Sequence, residues 1–136
     1  GPAEANVVFD LHRYQCFNDD DVNSDIYQHI QKTVVDWKQE ADELIVQSGR
    51  DTVVGEWSLG LNPQFEVLWA EQAQDAETKT MTVFQTDIAY RAYAAAQLAC
   101  FEKYRGWFFW SYKTETMPQW SFRDCVQQGW LPSNFR

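Results

Sequence analysis

Basic residues are scarce in this chain. Its 11 lysines and arginines face 20 aspartates and glutamates, a formal charge of −9 over 136 residues. The positive footprint that tracks a phosphate backbone is missing, so nucleic acid is not expected as a partner. Cysteine is scarce too: Cys16, Cys100 and Cys125 are odd in number and contain no Cys-x-x-Cys pair. They offer neither a disulfide framework nor a zinc site and read as reduced, idle thiols. No apolar run approaches the ~18–20 residues of a membrane span, which sets a membrane partner aside. No signal peptide is visible before the first expected strand, and with reduced cysteines this favours the cytoplasm. Asp19-Asp20-Asp21 lacks the alternating ligands and the glycine of a calcium loop and reads as a solvated loop. Neither a metal nor a cofactor is expected. Gly1-Pro2 reads as the scar of a cleaved tag, leaving residues 3–136 as a single domain, long enough for a core of its own.

What the chain has in excess is aromatic surface. Phe, Trp and Tyr make up 16% of the residues, with seven tryptophans. Such an excess suits carbohydrate sites, where apolar sugar faces stack on rings, and it equally suits a bulky core.

The stretch that organises the rest is Thr52–Leu61, T-V-V-G-E-W-S-L-G-L. Its β-branched start predicts a strand buried on both faces, ending at Gly55-Glu56-Trp57-Ser58. Active sites of parallel sheets gather at the carboxyl ends of the strands, so Glu56 is the first candidate for chemistry. A solvated edge residue or half of an ion pair is its plain alternative. G-W-F-F-W-S-Y-K-T-E at residues 106–115 is a second apolar and aromatic run with a polar exit. N-V-V-F-D-L-H-R-Y at residues 6–14 is a third, alternating so that Asp10, His12 and Tyr14 share one face. His12 and Tyr14 could also be ordinary packing residues.

Between these strands the spacing predicts helices. Residues 24–47, capped by Ser24 or Asp25, repeat Ile26, Ile30, Val34, Trp37, Ala41, Leu44 and Ile45 at helical intervals and stop at Ser48-Gly49. Strands 7–12 and 52–56 around that helix make a right-handed parallel crossover. A short helix is expected near residues 65–73 and a long one over 79–104, its apolar side formed by Met81, Phe84, Ile88, Tyr90, Ala92, Ala95, Leu98 and Phe101. Strand 107–112 follows, with a last short helix near 122–128; residues 15–23 read as a polar loop. No repeat or linker divides the chain.

V-V-G-E-W-S, G-W-F-F-W-S-Y-K-T-E with the following Pro118-Gln119-Trp120-Ser121-Phe122, and D-L-H-R-Y-Q stand in an order that resembles the C-terminal part of glycoside hydrolase family 5, especially its exo-β-1,3-glucanase-like members. The resemblance implies an α/β fold that is half of a TIM-type (β/α)8 barrel, with three to four parallel strands and packing helices. It implies a retaining β-glycosidase acting on a β-glucoside or glucan oligosaccharide, with Glu56 as nucleophile. Tyr14 would hydrogen-bond that carboxylate, and His12 would contact sugar or the second carboxyl group. Trp110 would stack under the sugar, and Lys113 and Glu115 could bind a neighbouring one. Trp57 and Ser58 would serve as support.

Such enzymes need a second carboxyl group as acid/base. The family carries it in Asn-Glu-Pro, which this chain lacks: Asn62-Pro63 is followed by Gln64. Asp10 and Glu115 are the carboxylates that could stand in. A complete barrel needs at least ~200 residues. Completion is therefore expected from a homo-oligomer, a dimer or higher, or from a complementary half-barrel chain. The alternative is a catalytically silent, sugar-binding or self-assembling module.

Overall fold

In the computed structural model of the chain, residues 7–62 and 81–136 are described. Strand β1, Phe9–Gln15, pairs in parallel with β2, Thr52–Leu61, and β2 pairs in parallel with β3, Trp107–Phe109. The sheet order is β1-β2-β3. Parallel neighbours cannot be joined by a hairpin, and a helix lies on each connection: α2, residues 26–47, between β1 and β2, and α3, Val83–Phe101, between β2 and β3. The α/β class and parallel sheet expected from the sequence are present, with three strands among the described residues. The helix expected near residues 65–73 lies outside them.

The loop expected at residues 15–23 holds a single helical turn, α1, Asp19–Val22, capped by Asn18. Its aspartates are not all solvated, since Asp21 is buried at 3% exposure and pairs with Lys32 Nζ at 2.5 Å. That pairing, which charge clustering in the sequence does not show, is what allows a carboxylate inside.

Helix α2 opens on a capping box between Asp25 and Gln28. Its α-helical turns Ile26–Gln31 and Lys38–Asp42 alternate with wider π-type turns, Lys32–Trp37 and Glu43–Gln47. The buried positions are Ile26, His29, Thr33, Trp37 and Ala41. Their spacing of mostly four residues is longer than the 3.6 of an ideal helix, and widened turns keep such a stripe in line. Val34, expected inside, is therefore 44% exposed.

Helix α3 begins with a second capping box, Thr82 with Gln85. It buries Ala89, Tyr90, Tyr93, Ala94, Ala96, Gln97, Cys100 and Phe101. The face anticipated from the sequence is only partly this one: Phe84 and Ile88 are 72% and 44% exposed, and Ala95 is exposed. Apolar residues surround this alanine-rich helix on all sides, so spacing alone cannot choose its inner face.

Trp57, fully buried, is the centre of the core. It meets Phe101, Trp107 and Phe109 edge-on at 5.0–5.4 Å, and Trp37 stacks on Phe101 from α2. Beyond β3, a 3-10 turn, Pro118–Trp120, leads into α4, Phe122–Gln127, shorter by one residue than expected and capped by Ser121. The tail is tied to α3 by Trp130, whose Nε1 donates to Asp87 Oδ1 at 2.8 Å while its ring packs on Tyr90.

All three cysteines are free, Cys100 and Cys125 buried and Cys16 half-buried. Burial pushes each thiol up, Cys16 to about 11 and Cys125 to about 12. They are protonated near neutrality, as idle thiols should be. Among the described residues no helix is long and apolar enough to cross a membrane.

Candidate active site

Strand β2 does not stop at Glu56 but runs on to Leu61. What sets Glu56 apart is an irregularity in register: Leu11 pairs with Val54, yet the next residue, His12, pairs with Glu56. Gly55 is the extra residue. Strict alternation would send Glu56 to the same side as Val54, which is fully buried. The inserted residue reverses the alternation, so Trp57 enters the core and Glu56 leaves it. Gly55 lies against the Asp10 carboxylate, where any side chain at 55 would overlap it.

Three groups from β1 gather near Glu56, spaced two apart as one strand face requires. Tyr14 Oη donates to Glu56 Oε2 at 2.8 Å. His12 Nδ1 lies 3.6 Å from the same oxygen, and His12 Nε2 lies 3.0 Å from Asp10 Oδ2. The Glu56 side chain is 27% exposed, able to meet a ligand while supported by the fold. Burial, then the hydrogen bond and charge of Glu56, raise the Tyr14 pKa well above the usual phenol range. Tyr14 is thus a dependable O–H donor, and among the described residues Glu56 Oε1 carries no hydrogen bond.

Tyr14 also links this carboxylate to an aromatic surface. Trp120 lies over Tyr14 with centroids 5.2 Å apart, and Phe17 meets Tyr14 edge-on at 5.5 Å. Trp120 reaches this place because Gly60 has no side chain there; a Cβ would overlap its indole. Trp110 extends the β2–β3 ladder, its N–H donating to the Trp57 carbonyl at 2.7 Å, and its ring is 54% exposed. The Trp110–Ser111 peptide is cis. Ser111 then donates to the Trp120 carbonyl and accepts from Phe122 N–H, holding the loop against the 3-10 turn. A cleft of ≈ 230 Å³ results, lined by Trp110, Thr114, Thr116, Met117 and Trp120.

The structure therefore brings Glu56, Tyr14 and His12 together and sets Trp110 in the adjoining cleft. Lys113 and Glu115 lie on the cleft loop, exposed and 4.0 Å from each other, but Thr114 and Thr116 line the cleft rather than they. Trp57 and Ser58 are buried, and the Ser58 carbonyl accepts from Gln97 Nε2. Sequence reasoning missed Trp120, Met117 and the two threonines as lining residues. The available signal was glycine inside a strand pattern, which marks a bulge or a close approach; Gly55 and Gly60 are one of each. Among the described residues, no group of three His, Cys, Asp or Glu side chains is placed to hold a metal ion.

Over 148 residues the chain is 31% identical to a glucan 1,3-β-glucosidase of Candida oleophila, a match covering 93% of this chain and 33% of that protein. The chain is a relative of the glucan 1,3-β-glucosidases. A glucan 1,3-β-glucosidase of Kluyveromyces lactis is 30% identical over 157 residues, with 93% of this chain and 33% of the relative covered. Glucan 1,3-β-glucosidase 2 of Wickerhamomyces anomalus is 26% identical over 154 residues, covering 97% and 35%. The chain thus spans about a third of the length of the curated relatives it matches. No family model matches it. The resemblance to exo-β-1,3-glucanases drawn from three strand segments extends over nearly the whole chain.

Proposed function

We propose that this glucosidase-related chain carries the nucleophile side of a retaining, family 5-type site for β-linked glucosides or glucans. The observation that carries the proposal is the 2.8 Å hydrogen bond from Tyr14 to Glu56 across two adjacent parallel strands. It holds one carboxylate oxygen and leaves the other to attack an anomeric carbon. A retaining reaction then forms a glycosyl ester on Glu56 and expels the aglycone oxygen, which takes a proton from a second carboxylic acid. Water later attacks that ester, with the second group acting as base. Trp110 supplies a flat apolar face for the sugar and a favourable electrostatic surface for its cationic transition state.

The second carboxylic acid is assigned to residues outside this sequence, because Asn-Glu-Pro does not occur within it. Three parallel strands with two packing helices fit part of a (β/α)8 barrel, and the remaining strands are assigned to polypeptide outside this sequence, on the same or another chain. The test is hydrolysis of an activated aryl β-glucoside by the purified chain, with Glu56→Gln alongside and the solution mass measured on the same sample. An activated leaving group departs without an acid's help. Release that vanishes in Glu56→Gln supports the assignment. Equal release by both proteins overturns it. A folded oligomer that binds glucan oligosaccharides without release would favour the second reading, a silent sugar-binding module.

A further inference from the structure

The middle member of the β1 face, His12, lies between two carboxylates, and its two nitrogens are not treated alike. Nε2 stands 3.0 Å from Asp10 Oδ2, a hydrogen-bond distance, whereas Nδ1 stands 3.6 Å from Glu56 Oε2, beyond one. Glu56 Oε2 is already served by Tyr14 Oη at 2.8 Å. A neutral imidazole has a single N–H, and its other nitrogen is a lone-pair acceptor. Placing the proton on Nε2 satisfies Asp10. It also turns a lone pair toward Glu56 Oε2, which accounts for the longer separation. The Asp10 carboxylate has its position because residue 55 is the inserted glycine; a methyl group there would occupy the carboxylate's space.

We infer that Asp10 is a positioning residue that holds His12 as the Nε2–H tautomer, so that Nδ1 faces the Glu56 site as an acceptor for a sugar hydroxyl. The hydroxyl part of this inference rests on the proposed role of Glu56, and the tautomer part does not. The register insertion, Gly55, Asp10 and His12 then form one device: the bulge makes room for the carboxylate, the carboxylate orients the ring, and the ring sets what the site can accept.

The chain's other histidine supplies an internal contrast, since there are two in all. His29 Nδ1 lies 2.7 Å from Gln15 Oε1. The amide is oriented by its own donation from Nε2 to Thr33 Oγ1, and Thr33 donates to the His29 carbonyl. Gln15 Oε1 is therefore an acceptor, and His29 is the Nδ1–H tautomer. The two rings should show opposite proton placement in one spectrum.

The experiment is a long-range proton–nitrogen correlation of the imidazoles in the nitrogen-15-labelled full chain. It is run near pH 8, above the ordinary histidine pKa of ~6.5. The expected wild-type result is His12 with Nε2 protonated and Nδ1 bare, and His29 the reverse. In Asp10→Ala the nearest remaining acceptor is Glu56, so the His12 proton should move to Nδ1. Gly55→Ala, which changes no titratable group, should cause the same move by displacing Asp10. An unchanged His29 pattern certifies the fold in both variants, and where it is lost the wild-type spectrum decides. A wild-type His12 carrying its proton on Nδ1, or on both nitrogens, overturns the inference. So does a folded Asp10→Ala variant that keeps the wild-type pattern. Absence of glucoside hydrolysis leaves this result standing, and a wrong tautomer leaves the nucleophile assignment standing, so the two failures are distinguishable.

Discussion

Acid should weaken this fold through His29 before most of its carboxylates titrate. The ring is 1% exposed, its Nδ1 is committed to Gln15, and among the described residues its Nε2 has no partner. A second proton would place a charge inside the core, where the cost of burial exceeds what the Ser24 backbone and the nearby carboxylates return. Burial accordingly lowers the pKa to about 4, helped by Lys32 and against smaller opposing influences from Asp21, Asp25 and the Ser24 backbone. The sign follows from linkage. In the unfolded chain His29 titrates near its ordinary ~6.5, so below that pH the unfolded state binds a proton that the native state refuses. Stability is fully present above ~6.5, falls as pH drops toward about 4, and levels off once the native ring is protonated. At ~1.4 kcal/mol per pH unit the loss sums to about 3 kcal/mol, a large share of the ~5–15 kcal/mol that holds a domain together. The assay is urea denaturation at several pH values between 7 and 4, comparing wild type with His29→Gln. The variant should be weaker at neutral pH and lose about 3 kcal/mol less on acidification. An identical pH slope in the two proteins would refute the reasoning.

Three further outcomes follow from the packing. Trp57→Ala should cost ~3–5 kcal/mol, because it empties the centre of the aromatic cluster, read as a lower denaturation midpoint. Gly60→Ala should force Trp120 off Tyr14 at a cost of ~1–3 kcal/mol, with altered tryptophan fluorescence and weaker glucan-oligosaccharide binding. Lys32→Met leaves the buried Asp21 without its counter-charge, held among the described residues only by the hydrogen bond from Asn18 Nδ2; a loss of ~3–5 kcal/mol at neutral pH is expected, partly restored by adding Asp21→Asn.

The architecture was legible where residue types announce themselves. β-Branched and aromatic runs marked the three strands, a cap at Ser24 or Asp25 marked the start of α2, and the odd, unpaired cysteines marked idle thiols; the Thr82 capping box, which starts α3 four residues after the expected 79, went unread. The faces of the helices were harder. Val34 was assigned inward by a 3.6-residue period that the π-type turns of α2 do not keep, and Phe84 and Ile88 sit on a helix with apolar residues all round. Buried polar residues left no trace in an apolar pattern: His29, Thr33 and Asp21 are inside because Gln15 and Lys32 meet them, and pairing across elements has no local signature.

The candidate site divides in the same way. Glu56 was reached from its place near the expected end of a parallel strand, and His12 and Tyr14 from the alternation of β1; Trp110 and the roles of all four came from stretches similar to a known family. The register insertion that turns Glu56 toward Tyr14 depends on how β2 pairs with β1, and one strand does not record that. Trp120 was visible in Pro118-Gln119-Trp120-Ser121 as sequence, but its place beside Tyr14 is set by Gly60, 60 residues earlier.

The most direct test of the central claim is covalent. The chain is incubated with an activated 2-deoxy-2-fluoro-β-glucoside, whose leaving group needs no acid and whose fluorine slows release of the glycosyl ester, and the digested protein is read by mass spectrometry. One fluoroglucosyl group is expected on the peptide bearing Glu56, absent in Glu56→Gln and reduced in Tyr14→Phe. An adduct on Asp10, Glu115 or any other carboxylate, or equal labelling of Glu56→Gln, would contradict the claim.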